Sequence, residues 1–563
     1  MKKIQQFYIV SLTESRIRNS GYEINGSLQD FRRNEEVVAL ADNECLREIR
    51  RITNHPYDAE MLNSFLKAKK NIRKRAKTPQ NATMASEINR KIDEQLFIPE
   101  FVTVQTEEKG KYGSLNRHSF TINGERYVRL MCGAGHARTN RAMFVQKRIF
   151  KKLDEFLRCG CADIEIIWAK WNAYYALGSS STAIVSEPRA VVIKDCEVER
   201  THLVDFVTHG DPQPVISREE KKLKFNLFDG MGLISPSLAA KWGEEVGCDY
   251  VPSAFVVRCA FVKGLVATFD FHRFAKEVAG KNILTDIYGN EVDVNDIDII
   301  LTESQFKLNK GYINWQSYIE NTHKYGWNWG VTKCADKPSE IKRCMRTNYQ
   351  FLQVLDLDDD GIEKLCSQTV DWIQGVASGK YEQALLYILG SIADCDGDPL
   401  EAFNRIQEPF IKSLIVNPLL MKDPYIRKRI ADSLYKRIRE ACMGRLIIDC
   451  TYQFLVSDPY ALCEYAFGMT PNGLIKEHEC YNAHWAAAGA KEVCALRSPL
   501  TWRSEVHGVS VFDGEKARDW YQYLDSCHIQ NVHGLDSMLN SGSDMDGDCL
   551  FITNNEQFLK GRC

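Results

Sequence analysis

Apolar residues recur at helical spacing in the first part of the chain. Residues 37–52 and 59–77 carry apolar side chains three or four positions apart among many charges, which is typical of amphipathic helices. A basic cluster at residues 67–77 suits either a nucleic-acid contact or a solvated helix face. The pattern predicts a helical N-terminal region over residues 1–96.

The pattern then changes to short alternating runs. Residues 119–122, 127–130 and 190–193 alternate as strands do, whereas residues 141–158 have helical spacing. This mixture predicts an α/β region over residues 97–215.

The remaining chain divides into three parts. Residues 216–345 are rich in strand patterns and include a helix over residues 236–246, for which Ser235 is the expected N-cap. Residues 346–444 read as mostly helical, and residues 445–563 return to short strands and loops. The fold class predicted from these patterns is α+β.

Composition narrows the class of protein. A chain of 563 residues with 44% hydrophobic residues is long enough for several folded domains. The formal charge of −3 neither supports nor excludes a nucleic-acid partner, which needs only a local positive surface. The 19 scattered cysteines and the lack of an apolar leader after Met1 favour a reduced, cytoplasmic protein, and the longest apolar run is about half a membrane span.

Three acidic clusters are candidates for a metal site. Residues 356–361 begin like a calcium-binding loop, but Ser367 stands where a bidentate Glu is required, so a solvated turn is expected. Residues 394–398 run directly into Pro399, and an Asp cap followed by Pro in the first turn is typical of the start of a helix.

The third cluster has the pattern that metal chemistry requires. Asp544, Asp546 and Asp548 alternate in a tight loop, and Gly547 allows a sharp turn. Carboxylates that converge on one point repel each other unless a cation neutralises them, and hard divalent ions prefer oxygen ligands. The sequence therefore predicts a metal centre at these three residues.

The surrounding sequence resembles a known family. Residues 541–548 are similar to the D-x-D-G-D loop of the cellular, eukaryotic silencing-type RNA-dependent RNA polymerases and of related single-chain phage and prophage RNA polymerases. Residues 228–236 resemble the family's D-G-x-G-x-I-S-P element, and residues 253–266 its A-F-Q-I-R-x-x-x-x-K-G-V stretch. Weaker matches follow the family order at residues 346–352, at residues 496–500, and at residues 135–138 with Phe144.

The resemblance implies a fold and a set of site residues. It implies two double-psi β-barrels, over residues 216–345 and 445–563, joined by the helical connector of residues 346–444. Asp544, Asp546 and Asp548 would bind catalytic Mg²⁺, with Mn²⁺ as an alternative. Lys263 would bind phosphates unless it is an ordinary surface lysine.

Two arginines have two interpretations each. Arg258 would bind substrate or pair with an acid inside the barrel, and Arg497 would lie near the nucleotide sugar or brace the backbone.

The chain departs from the family pattern at its C-terminus. It ends at Cys563, 15 residues after Asp548, whereas family members continue well beyond this loop. We therefore expect an incomplete second barrel, with the remainder in a missing C-terminal portion or in a second chain.

The function that follows is template-directed RNA synthesis. The resemblance implies a nucleotidyltransferase that joins ribonucleoside triphosphates 5′ to 3′ on an RNA or DNA template, with no membrane partner. The compact chain is more similar to the phage-type relatives, which transcribe DNA. A metal-dependent nuclease or phosphohydrolase and a non-catalytic nucleic-acid-binding protein are the alternatives.

Overall fold

The computed structural model describes residues 1–72, 78–106, 119–133, 139–388, 409–540 and 542–562. The basic residues 73–77, the motif residues 135–138, the acidic cluster at 394–398, and Ser541 lie outside the described residues.

A seven-stranded sheet forms the N-terminal part. Its strands, in the order β2-β5-β6-β7-β4-β1-β3, are β1 (Gln6–Thr13), β2 (Glu23–Ile24), β3 (Val37–Ala41), β4 (Phe97–Gln105), β5 (Phe120–Ile122), β6 (Glu125–Met131) and β7 (Arg141–Gln146). The helices here are Glu14–Asn19, Leu28–Arg33, Glu44–Thr53, Ala59–Ile72, Pro79–Leu96, Lys147–Arg158 and Trp168–Tyr175.

The helical N-terminal region predicted for residues 1–96 is therefore correct only in part, because the strands β1, β2 and β3 lie among its helices. Residues 37–41 form strand β3 because they pair antiparallel with β1, and the helix begins only at Glu44. Residues 141–146 likewise form β7 beside β4, and the helix of that segment is Lys147–Arg158. Local periodicity could not show these pairings, because each partner strand is distant in sequence.

A second seven-stranded sheet follows, in the order β8-β18-β13-β14-β12-β17-β9. Its strands are β8 (Ala183–Val185), β9 (Ala190–Ile193), β12 (Met231–Ile234), β13 (Ala254–Cys259), β14 (Val262–Thr268), β17 (Ile299–Thr302) and β18 (Trp329–Cys334), and a long hairpin of β10 (Glu197–Thr208) and β11 (Val215–Asn226) is inserted between β9 and β12. A small hairpin pairs β15 (Ile283–Thr285) with β16 (Glu291–Asp293), and the helices are Pro236–Val246, Phe271–Phe274 and Trp315–Tyr325. The predicted cap is confirmed: the hydroxyl of Ser235 accepts from the amide of Leu238 at 3.4 Å.

The connector is mostly helical, as predicted. Its helices are Tyr349–Gln353, Asp359–Ala377, Tyr381–Ile388, Pro409–Val416 and Pro424–Cys442, and the strands β19 (Cys344–Arg346) and β20 (Ile447–Asp449) pair at its two ends. The first acidic cluster forms the start of the helix Asp359–Ala377. The carboxylate of Asp358 caps this helix by accepting from the amide of Gly361 at 2.8 Å.

The C-terminal part is a closed barrel of six strands. In the order β21-β25-β22-β24-β23-β26 these are β21 (Thr451–Ser457), β22 (Glu479–Tyr481), β23 (Glu492–Leu496), β24 (His507–Val511), β25 (Cys527–Gln530) and β26 (Cys549–Thr553). Its helices are Pro459–Ala466, Ala483–Ala487, Glu515–Trp520, Asp536–Leu539 and Glu556–Lys560. The predicted incomplete second barrel is wrong, because β26 pairs with both β21 and β23 and closes the ring.

The central sheet lies between two cores. Side chains alternate across a strand, so Leu265 packs into the core shared with the closed barrel, while Val266 packs into the core shared with the N-terminal sheet. Aromatic contacts such as Phe274 with Tyr460, at 4.9 Å between ring centroids, join the sheet to the barrel. Within the described part of the chain, no helix is long and apolar enough to cross a membrane.

Candidate metal and nucleotide site

Two turns that are far apart in sequence meet between the central sheet and the barrel. One contains Asp229 and Gly230, just before β12, and the other is the acidic loop before β26. The amide of Met545 donates to the carbonyl oxygen of Asp229 at 2.8 Å. Gly230 has φ +77°, and a Cβ atom there would lie 2.7 Å from Cβ of Asp546, so only glycine fits this approach.

The three aspartates of the acidic loop converge, as predicted. One carboxylate oxygen of each of Asp544, Asp546 and Asp548 lies within 4.8 Å of the others. The loop is anchored to β21, where the amide of Leu455 donates to the carbonyl of Asp548 at 2.9 Å. Gly547, at φ +126°, makes the turn that the sequence predicted for it.

The proximity of the carboxylates perturbs their protonation. Burial, with the charges of Asp546 and Asp548, raises the pKa of Asp544 to about 7. Burial alone would also raise the pKa of Asp546, but the ammonium of Lys263 outweighs it and lowers that pKa. One carboxylate of this set therefore resists ionisation in the absence of a cation.

Two of the predicted cationic residues contact these carboxylates directly. The ammonium of Lys263, on β14, forms an ion pair with Asp546. The guanidinium Nε of Arg497, which follows β23, donates to Oδ2 of Asp548 at 2.7 Å. The connector braces the Arg497 loop, because the amide side chain of Asn348 donates to the hydroxyl of Ser498 at 3.0 Å.

Arg258 lies on β13 beside the site without a direct contact to the acids. It donates to the carbonyl of Val257 at 2.7 Å, and burial lowers its pKa while the charge of Asp546 partly restores it. Its Nε is buried and finds no acceptor among the described residues. This orphaned donor fits a site that takes an anionic ligand.

Two further charged residues, Asp229 and Lys307, interact with this site and were not among the predicted site residues. Burial raises the pKa of Asp229, whose charge lies close enough to Asp546 to interact with it. Burial, with repulsion from Lys263, lowers the pKa of Lys307. Asp229 belongs to the motif at residues 228–236, so the motif could have identified it as a site residue. Lys307 lies in no recognised motif.

The donor set fits a divalent cation. Three carboxylates at this separation provide the oxygen ligands that hard divalent ions prefer, and a cation would offset the burial and the repulsion that together raise the pKa of Asp544. Phe144, which was matched together with residues 135–138 to a weaker family motif, is buried in the N-terminal sheet. Residues 135–138 themselves lie outside the described residues.

The fold and the site together define a mixed α+β protein with a candidate divalent-metal centre between a curled sheet and a closed barrel. The chain belongs to the RNA-dependent RNA polymerase family, whose sequence model, described as "RNA dependent RNA polymerase", matches residues 75–562. This confirms the family predicted from the motifs. Use of a divalent metal is a property that the family implies.

Two known proteins resemble the chain, one in sequence and one in fold. The DNA-directed RNA polymerase YonO of Bacillus phage SPbeta is 30% identical over 482 residues, which cover 83% of this chain and 53% of YonO. The RNA-dependent RNA polymerase QDE-1 from Thielavia terrestris has a similar fold, with a TM-score of 0.53 at 15% identity, covering 82% of this chain and 50% of QDE-1. The chain thus spans about half the length of each protein.

Proposed function

We propose that the chain carries the catalytic centre of a template-directed RNA polymerase. The observation that carries this proposal is the convergence of Asp544, Asp546 and Asp548, with Lys263 and Arg497 in contact with two of them. Membership of the polymerase family adds support. The reaction joins the 3′-hydroxyl of the growing RNA to the α-phosphate of a ribonucleoside triphosphate and releases pyrophosphate.

The three aspartates would hold Mg²⁺. When bound, this ion would supply Lewis-acid stabilisation of the reacting oxygens. Asp546 and Asp548 are each paired with a cationic side chain in the structure, so Lys263 and Arg497 lie where a substrate at the three aspartates would meet them. Lys263 would then bind phosphate oxygens as a point charge, and Arg497 would hydrogen-bond the ribose 2′-hydroxyl.

Arg258 would supply a further donor to the substrate. Its buried Nε has no acceptor among the described residues, which supports the substrate-binding interpretation over pairing with an acid in the barrel.

We propose that the central sheet and the closed C-terminal barrel each belong to a double-psi barrel. The closed barrel combines parallel pairs, β21 with β25 and β22 with β24, with antiparallel ones, and this mixed pairing supports the proposal. Of the domains predicted from the sequence, we propose the connector of residues 346–444 and the closed barrel within residues 445–563. The first sheet joins strands from both sides of the boundary at residue 96, and the central sheet joins strands from both sides of the boundary at residue 215. A cytoplasmic location is supported by the cysteines, since all those described are free.

DNA is the template to test first. YonO, the 30% identical phage protein, is named as a DNA-directed enzyme. RNA is the second template, because QDE-1 and the family are named as RNA-dependent.

The test is incorporation of a labelled ribonucleotide with Mg²⁺ on single-stranded DNA and single-stranded RNA templates. Wild type is compared with Asp546→Asn and with Asp359→Asn, a matched change in the exposed acidic cluster at the start of the connector. We expect product that depends on template, Mg²⁺ and Asp546, with Asp359→Asn as active as wild type. Absence of product from the folded chain, or product insensitive to Asp546→Asn, would refute the proposal. Degradation of the template would favour the nuclease.

A further inference from the structure

The connector ends in a long helix with an unusually basic surface. This connector helix, Pro424–Cys442, buries Ile426, Ile430 and Leu434 on one side. On the opposite side lie Lys428, Tyr435 and Arg439, which are seven and four residues apart and so share a face, with Lys436 beside them. These four residues are the basic stripe. Tyr435 is 64% exposed.

In the part of the chain that the structure describes, the cations of the basic stripe lack the ion pairs to nearby acids that cations on other surface helices form. Four exposed helical lysines or arginines elsewhere pair with an acid one turn away: Arg90 with Glu94, Lys151 with Glu155, Lys364 with Asp360 and Lys560 with Glu556. Among the described residues, no ion pair involves Lys428, Lys436 or Arg439. The single acid on this face, Asp432, leaves it with a net positive charge.

The C-terminal end of the same helix carries a second excess of positive charge. Arg437, Arg346 and Arg445 surround the single carboxylate of Glu440 at 2.6, 3.5 and 3.9 Å. Three guanidinium groups around one carboxylate leave positive charge uncompensated, and burial with repulsion from Arg437 lowers the pKa of Arg346. The basic stripe and the C-terminal end of the helix are therefore both short of anions.

An exposed aromatic ring among cations without ion pairs is suited to binding nucleic acid. Lysine and arginine bind phosphates of a nucleic-acid backbone, and an exposed tyrosine offers a face on which an unpaired base stacks. In a duplex the bases are stacked on each other and do not reach such a ring. The combination on the basic stripe thus favours a single strand.

The geometry also links this surface to the candidate site. Arg346 lies in β19, and Asn348, two residues later, donates to Ser498, which adjoins Arg497 and its contact to Asp548. A strand bound along the connector helix would therefore follow the element that braces the nucleotide-binding side of the site.

We propose that the basic stripe of the connector helix binds single-stranded nucleic acid, through its phosphates at Lys428, Lys436 and Arg439 and through a base stacked on Tyr435. The inference deepens the proposed polymerase function, on which its biological role rests. The binding itself needs neither metal nor nucleotide.

The test measures equilibrium binding of the full chain to fluorescein-labelled single-stranded DNA, to RNA of the same sequence, and to the DNA duplex, without nucleotides and over a series of salt concentrations. The test variant is Lys428→Gln with Lys436→Gln and Arg439→Gln. The control has the same change in net charge, Lys151→Gln with Lys364→Gln and Lys560→Gln, at exposed helical lysines that are paired with acids. Thermal unfolding midpoints confirm that both proteins are folded.

We expect the stripe variant to bind single strands about 10-fold or more weakly at low salt, and the slope of log affinity against log salt to fall by about 2, or about 0.7 per lost phosphate contact. The control should keep the wild-type affinity and slope. Tyr435→Ala should weaken binding of single strands at least about fivefold and leave duplex binding unchanged.

Wild-type affinity and slope in the stripe variant would overturn the inference, as would an equal loss in the control. Equal affinity for the single-stranded DNA and RNA probes would support recognition of the phosphate backbone that the two share. Failure here leaves the incorporation assay with Asp546→Asn unaffected, whereas a chain that binds through the basic stripe but makes no RNA would refute only the proposed polymerase function.

Discussion

Gly230 lies so close to Asp546 that a Cβ atom on the glycine would come within 2.7 Å of Cβ of the aspartate and within 3.2 Å of its backbone. The contact joins the central sheet to the acidic loop, and it involves backbone atoms that cannot rotate away. The position of the Asp546 carboxylate therefore depends on a residue that carries no chemistry of its own.

Replacing Gly230 by alanine should displace the acidic loop. We expect Gly230→Ala to lower nucleotide incorporation at least about 100-fold, because a shift of about 1 Å at a catalytic group has costs of this order. The measurement is kcat/KM for incorporation, alongside the free energy of unfolding.

Gly289→Ala is the matched control. Gly289 also has positive φ, +88°, but a Cβ atom added there would meet no other atom within 4 Å. Both changes should cost about 1–2 kcal/mol of stability from left-handed backbone. Only the change at Gly230 should impair activity, and equal activity of the two variants would contradict the structural argument.

Lys263 should oppose metal binding and yet be needed for turnover. Its ammonium pairs with Asp546, so it competes with an incoming cation. We expect Lys263→Met to bind Mn²⁺ about fivefold more tightly, corresponding to removal of about 1 kcal/mol of repulsion in a hydrated site, while incorporation falls. Electron paramagnetic resonance of free Mn²⁺ measures the first effect.

Lys310→Met, at an exposed lysine in the segment that follows β17, controls for the change in net charge. Weaker Mn²⁺ binding by Lys263→Met than by wild type would show that the lysine organises the carboxylates instead of competing for them.

Arg497 should determine the preference for ribose. Loss of a hydrogen bond from a charged donor to the 2′-hydroxyl costs about 1.5–3 kcal/mol, or about 10- to 100-fold in selectivity. We expect Arg497→Leu to lower the ratio of kcat/KM for a ribonucleotide over its deoxyribonucleotide by that factor. Arg503→Leu, on the exposed turn that follows, should leave the ratio unchanged. An unaltered ratio in Arg497→Leu would favour the backbone-bracing role.

His528 should make the barrel sensitive to acid. It lies on β25 with 2% of its surface exposed, and burial lowers its pKa from 6.5 to about 4. The unfolded chain binds a proton in this window and the folded chain does not, so stability is complete above pH 6.5 and declines as the pH falls towards 4. The full effect is about 3 kcal/mol.

The corresponding measurement is the free energy of unfolding across this pH window. His528→Gln should show a shallower decline than wild type, because glutamine does not titrate. His209→Gln, in the exposed hairpin loop, should follow the wild-type curve. Parallel curves for wild type and His528→Gln would exclude His528 as the source of the acid sensitivity.

The sequence by itself determined the features that depend on neighbouring residues. The acidic loop, its turn at Gly547 and the helix capped by Ser235 were all predicted, because carboxylate spacing, glycine conformation and capping act over a few residues. The family followed from several such motifs in a fixed order.

Only the tertiary structure decided which distant segments meet. It made residues 37–41 a strand beside β1 and closed the second barrel through β26. It also brought Lys307 towards Lys263 and Asp229, and set Gly230 against Asp546. These outcomes depend on hydrogen bonds and charges between residues far apart in the chain, and no local periodicity records such a pairing.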